Sequence, residues 1–127
     1  MIKDFLILSC IGKVDKIGLR VNRDFFIHHF DQKIKYNDQL VLSILNLIKK
    51  YKVNFNRNFS ILVNSGPGSF SSIRVSIAVA KGIKISKNVR IFGFKNSDLP
   101  QFNLVNIEIL IKKNLLEKNL IKPLYSS

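Results

Sequence analysis

The chain has 127 residues, of which 46% are hydrophobic, enough for one domain with a core of its own and too few for two. Its apolar runs all fall short of the roughly 20 residues that cross a membrane as a helix, and the opening "MIKDFLILSCIGK" lacks a signal-peptide cleavage pattern, so a cytoplasmic protein without membrane contact is expected. A formal charge of +13 favours polyanionic partners, while a lone cysteine excludes an internal disulfide and, with His28 and His29 as the only histidines, argues against a zinc-type metal site.

"DFLILS", residues 4–9, reads as a first strand, followed after the turn near Gly12 by strands in "IGLRV" and "FFIHHF" joined by a hairpin turn at Asn22 to Asp24. Asp38 is a good helix N-cap. The helix that follows, Asp38 to Tyr51, carries Gln39, Ser43, Asn46 and Lys50 as a narrow polar stripe, with apolar residues around most of the rest, so it must be covered on more than one side. Next come a strand at Phe59 to Asn64, a turn at "SGPGS", a helix from about Ser69 to Ile85 and a strand in "VRIFGF". The proline-containing "KNSDLPQFN" reads as a linker. "LVNIEILIKKNLLEKN" reads as a last helix, because Leu104, Ile107, Ile111 and Leu115 recur at helical spacing and Glu108 to Lys112 is an i,i+4 pair; "IKPLYSS" reads as an extended tail.

Gly66, Pro67, Gly68 and Ser69 could cradle a phosphate or only start a helix. A Walker loop needs a lysine and a hydroxyl residue directly after its last glycine, and Gly68 is followed by Ser69 and Phe70, so this is not a P-loop. A structural turn with Ser69 as N-cap is the expectation. Projected as a helix, the next segment sorts Ser71, Val75, Ala78 and Gly82 into a ridge of small or short side chains and Ile73, Ile77, Ala80 and Ile83 into a core-facing arc, with Arg74 and Lys81 close together. The ridge suits either the domain's own sheet or a close helical partner.

Acid–base chemistry finds little support. Asp4, Asp15, Asp24, Asp31 and Asp38 fall at turns or element ends without matched partners, and the serines Ser65, Ser69, Ser71 and Ser72 have no evident base. His28 and His29, adjacent on a strand, point to opposite faces and suit a solvated or core-edge role, and Cys10 reads as a small buried residue. Catalytic, cofactor-binding and metal-binding residues are therefore expected to be absent. The basic excess includes Lys49, Lys50, Lys52, Arg57, Arg74, Lys81, Lys84, Lys87, Arg90 and Lys95 in an interval, Asp38 to Asp98, that contains no acidic residue between its ends. Abundant Ile, Asn, Phe and Lys also fit an A/T-rich codon bias.

The stretch "GPGSFSSIRVSIAVAKGI" resembles the "GPGSFTGLRIGLATAKGL" signature of the TsaB (YeaZ) family, and "KPLYSS" is similar to that family's "P-x-Y-L-R" ending. The resemblance implies an α/β fold: a single actin-like, sugar-kinase-like lobe with a mixed sheet opened by antiparallel strands. Residues 1–97 would form that lobe and residues 98–127 a linker, helix and tail packed on it, in a shortened form whose second lobe is largely absent. It further implies a non-catalytic subunit that binds and activates a TsaD-type enzyme in threonylcarbamoyladenosine modification of tRNA, with tRNA met indirectly through the complex, a TsaE-type ATPase as a further partner, and a homodimer when isolated. In the family, two helices of the first lobe pack on equivalent helices of TsaD. The interface expected here comprises Leu40, Ile44, Leu47, Ser71, Arg74, Val75, Ala78, Lys81 and Gly82. One departure is Leu8, which stands where many relatives have an aspartate, and an aliphatic side chain cannot serve a metal–phosphate site. The alternative from another class is a stand-alone basic RNA- or nucleotide-binding module derived from the same lobe.

Overall fold

The computed structural model describes residues 2–12, 14–30, 36–118 and 123–124. Strands β1 (Phe5–Ser9), β2 (Lys16–Val21) and β3 (Asp24–His29) form an antiparallel meander. Helix α1 (Tyr36–Lys50) then leads to β4 (Ser60–Asn64), helix α2 (Phe70–Lys87) to β5 (Arg90–Phe94), and a 3-10 turn at Asn96–Asp98 to helix α3 (Leu104–Lys112). The five strands make one mixed sheet in the order β3-β2-β1-β4-β5, in which β1, β4 and β5 run parallel.

Local chemistry accounts for this order. The β2–β3 turn holds Asn22 and Arg23 at φ 52° and 72°, the paired left-handed conformations of a tight turn whose twist matches that of the strands it joins. Parallel neighbours cannot be joined so tightly and need a crossover helix, which α2 supplies between β4 and β5. All five residues of β4 are buried, as expected of a parallel strand covered on both faces.

Alternation along the strands divides the interior in two. Leu6 and Leu8 of β1, Ile17 and Leu19 of β2, and Ile61 and Val63 of β4 face α1 and α2, joined by Leu40, Ile44, Ile73, Ile77 and Ala80 from the helices. Phe5, Ile7, Leu62, Phe92 and Phe94 point to the opposite face, where Ile107 and Leu110 of α3 cover them. No helix of the described residues is long and apolar enough to cross a membrane.

Several expectations need correction. The first long helix begins at Tyr36, so Asp38 lies in its first turn and not at its cap. "KNSDLPQFN" is not an open linker: Leu99 is buried against the α3 side of the sheet, and Asn96 accepts a hydrogen bond from Asn64. The last helix is capped by Asn103, whose side chain accepts from the Asn106 N–H at 2.8 Å, but it stops at Lys112. Beyond it Asn114 turns back at φ 57°, and Glu117 exchanges backbone hydrogen bonds with Gly93. Pairing with the edge strand β5 satisfies those peptide groups in place of a further helical turn. Of the predicted tail, only residues 123–124 fall among the described residues.

Candidate functional site: the turn after β4 and the outer faces of α1 and α2

The turn that joins β4 to α2 is held from every side. Gly66 has φ +102°, a conformation costly for any side chain, and a Cβ there would run into the carbonyl of Leu124. A Cβ at Gly68 would lie 2.6 Å from the Ile11 carbonyl oxygen. These glycines are required for the chain to lie flat against the β1–β2 connection and against the Pro123–Leu124 segment.

The fate of the backbone donors decides what the turn can do. The Gly66 N–H donates to Asn64 Oδ1 at 2.9 Å, the Gly68 N–H to the Leu124 carbonyl at 3.1 Å, and the Ser69 N–H to the Ile11 carbonyl at 2.8 Å. A phosphate cradle needs such donors free and convergent. Here these three bind the chain to itself. Ser69 does occupy the N-cap position of α2, but its side chain makes no capping hydrogen bond; its Oγ lies 3.4 Å from that of Ser71.

Asn64 organises the same junction. Its side-chain N–H groups donate to Ser9 Oγ at 3.3 Å and to Asn96 Oδ1 at 3.1 Å, while Ser65 Oγ donates to the Phe94 carbonyl at 2.9 Å. The ends of β1, β4 and β5 are thereby tied together. Leu8, at the position noted above, is fully buried in the α1/α2-side core. Among the described residues no group of three or more His, Cys, Asp and Glu side chains could hold a metal ion.

Sequence reading singled out His28, and the structure gives it a core-edge role. Its Nε2 is 3.3 Å from Ser43 Oγ, linking β3 to α1, and its ring meets Phe30 edge-on at 5.2 Å. His29 is exposed and does not join it. Cys10 is buried, as expected.

On α2, Ser72, Ile73, Ser76, Ile77 and Ala80 are buried, which leaves the small ridge turned outward. Ser71, Ala78 and Gly82 are exposed, with Val75 half-buried, and a Cβ built on Gly82 would have nothing within 4 Å. Of the two readings of the ridge, packing on the domain's own core holds only for Val75, while Ser71, Ala78 and Gly82 face outward. The core-facing arc behaves as predicted through Ile73, Ile77 and Ala80, with Ile83 packed at its margin. Two serines were not foreseen in it. Ser76 Oγ donates to the Ser72 carbonyl at 3.0 Å, and this internal bond lets a hydroxyl sit in the apolar seam. Arg74 and Lys81 are both exposed on the outer side, with the Arg74 guanidinium 5.4 Å from the Phe70 ring centroid.

On α1 the selection of interface residues is corrected. Leu40 and Ile44 are buried in the lobe's own core and Leu47 packs against it, because three- and four-residue spacing gathers them on the inner stripe. The outward apolar residues are Val41, Leu42 and Leu45, which are 44%, 59% and 57% exposed. Apolar residues occupy both stripes of α1, so its sequence carries no mark of which one faces the sheet.

No family model matches the chain. It is 25% identical over 90 residues to the tRNA threonylcarbamoyladenosine biosynthesis protein TsaB of Buchnera aphidicola subsp. Acyrthosiphon pisum, covering 69% of this chain and 41% of that protein. TsaB of Buchnera aphidicola subsp. Baizongia pistaciae is 34% identical over 92 residues, covering 70% and 40%. Among solved structures, YeaZ from Pseudomonas aeruginosa superimposes with a TM-score of 0.66 at 18% identity, over 77% of this chain and 45% of that one; this likeness establishes the fold as a single lobe of that architecture. The chain spans about two-fifths of the length of the curated relatives it matches, and it belongs to the TsaB/YeaZ family.

Proposed function

We propose that this chain is a non-catalytic, TsaB-like subunit of the machinery that makes threonylcarbamoyladenosine in tRNA, and that it binds and activates a TsaD-type enzyme through the outer faces of α1 and α2. The observation that carries the reading is the exposure of Ser71, Ala78 and Gly82 on α2 beside the exposed Val41, Leu42 and Leu45 of α1. Small side chains let a partner helix approach closely, and the neighbouring aliphatic residues supply area to remove from water. Both helices cover the same sheet face and pack on each other, which supports reading their outer surfaces as one docking face. A TsaE-type ATPase would join such a complex, and tRNA would be met through it.

Replacing Ala78 with Leu tests the assignment. It places new volume at the centre of the ridge, where overpacking costs about 1–3 kcal/mol at a close helix contact, a loss of roughly 5- to 150-fold in affinity. Thermal unfolding of the isolated variant, at a dilution where self-association is absent, is measured beside its affinity for the TsaD-type partner. Unchanged melting with weakened binding is expected; lowered melting with intact binding by the folded fraction would overturn the interface.

The same reading expects no ATP turnover by the isolated chain. The donors of the glycine turn are engaged within the protein, and Leu8 can neither ligate magnesium nor orient water. Hydrolysis above a mock-purified control, abolished by Gly66→Ala, would contradict it.

A further inference from the structure

At the far end of the lobe from the glycine turn, the last turn of α2, the start of β5 and the segment before β4 enclose an open cleft of about 900 Å³. Its charged lining is entirely cationic: Arg57, Lys84, Arg90 and Lys118, accompanied by Asn58 and Asn88. The three chain segments that supply Arg57, Lys84 and Arg90 belong to an interval with no carboxylate between Asp38 and Asp98, so no counter-charge accompanies them in sequence. Val89, Ile91 and Phe92 complete the lining, but their side chains are buried in the two cores on either side of the sheet, so the cleft is an open, cation-rimmed groove along the edge strand β5.

Arg90 is the central group. Its guanidinium lies 5.9 Å from the Phe92 ring centroid and donates through Nη2 to the Asn58 carbonyl at 3.4 Å, while its Nε is buried without a hydrogen-bond partner. A partly desolvated cation with an unmatched donor is costly, and an anion at its accessible edge offsets that cost. The negative end of the α2 dipole, which would repel an anion, is countered by Lys84 and Lys87 in the last helical turn.

We propose that this cleft binds the phosphodiester backbone of a single-stranded RNA segment. An isolated phosphate would fill only a small part of the volume, whereas successive backbone phosphates can occupy its length. A flexible single strand can bend its backbone to follow cations spread over a concave groove, which a stiff A-form duplex cannot enter. The site is distinct from the helical face proposed for the protein partner, and its test contains no such partner, so either assignment can fail alone.

The experiment follows binding of a short fluorescent single-stranded RNA to the full chain by anisotropy across a salt series. The variant Lys84→Ala/Lys118→Ala removes two exposed side chains and is checked for an unchanged melting temperature. It is expected to weaken binding several-fold at low salt and to shrink the slope of log K against log salt by about 1.4, at ~0.7 per lost phosphate contact. The control Lys3→Ala/Lys95→Ala, with two exposed cations outside the cleft, is expected to bind like the parent protein. No RNA binding by the parent, or equal loss in both variants, would overturn the proposal. Inorganic phosphate and ATP are expected to compete only as salts of matching ionic strength do; stoichiometric displacement of RNA by ATP would reassign the cleft to a free nucleotide and equally overturn it.

Discussion

Helices α1 and α2 cover the same face of the sheet, and their inner stripes are alike, yet their outer stripes differ in kind. The inner stripe of α1 is Leu40, Ile44 and Leu47; that of α2 is Ile73, Ile77 and Ala80. Outside, α1 shows branched aliphatic residues, Val41, Leu42 and Leu45, whereas α2 shows Ser71, Ala78 and Gly82 flanked by Arg74 and Lys81. One helix presents apolar area; the other presents a backbone that can be approached closely, with charge at its margins. A hydrophobic stripe contributes association energy with little direction, while a small ridge with flanking cations restricts angle and register. The pairing implies that the two helices have separable parts in any interface they make.

The largest effect should come from confusing inside with outside on α1. Leu40→Ala empties a fully buried site and is expected to destabilise the lobe by about 2–5 kcal/mol, read as a lowered midpoint in urea unfolding. Leu45→Ser, five residues on, should leave that midpoint almost unchanged. Its effect belongs to association: the isolated chain is expected to self-associate through the exposed face, and losing one leucine that becomes fully buried there weakens the dimer by about 1.5–3 kcal/mol. Sedimentation velocity over a concentration series measures this, and a dimer of parental strength would remove α1 from the interface.

The smallest effect is the most discriminating, because its two readouts should move in opposite directions. Gly82 lies inside α2 with open space around its Cβ position. Gly82→Ala should therefore stabilise the isolated lobe by about 0.5–1 kcal/mol through helix propensity. If the ridge is the approach surface, the added methyl group should at the same time weaken binding to the TsaD-type partner. A gain in stability with unchanged affinity would move the contact away from that end of α2.

Much of the architecture was legible without coordinates. Short apolar runs bounded by turn residues marked β1 and the β2–β3 hairpin, and "SGPGS" between an apolar run and a long proline-free segment marked the β4–α2 junction. The legible parts share a cause, since each is set by chemistry within a few neighbouring residues. Where the reading of elements went astray, distant residues decided the outcome. The segment after Lys112 has a helical pattern of apolar residues but pairs with β5 through Glu117 and Gly93, because a sheet edge was available to it. Leu99 looked like part of a linker, yet it closes the core beside α3.

The candidate site divides in the same way. Sequence by itself determined that α2 has a small ridge and that the glycine turn lacks Walker chemistry, since helical geometry fixes which residues share a face and a missing lysine cannot be supplied by folding. Tertiary structure alone decided which face looks outward: on α1 both stripes are apolar, and only the position of the sheet selected Leu40 and Ile44 for burial over Val41, Leu42 and Leu45. It likewise decided where the turn's own donors go, because the N–H groups of Gly68 and Ser69 meet carbonyls of Leu124 and Ile11, residues more than fifty positions away along the chain. Arg57, Lys84, Arg90 and Lys118 form a cleft for the same reason: strand order and helix length bring together cations that the sequence merely scatters.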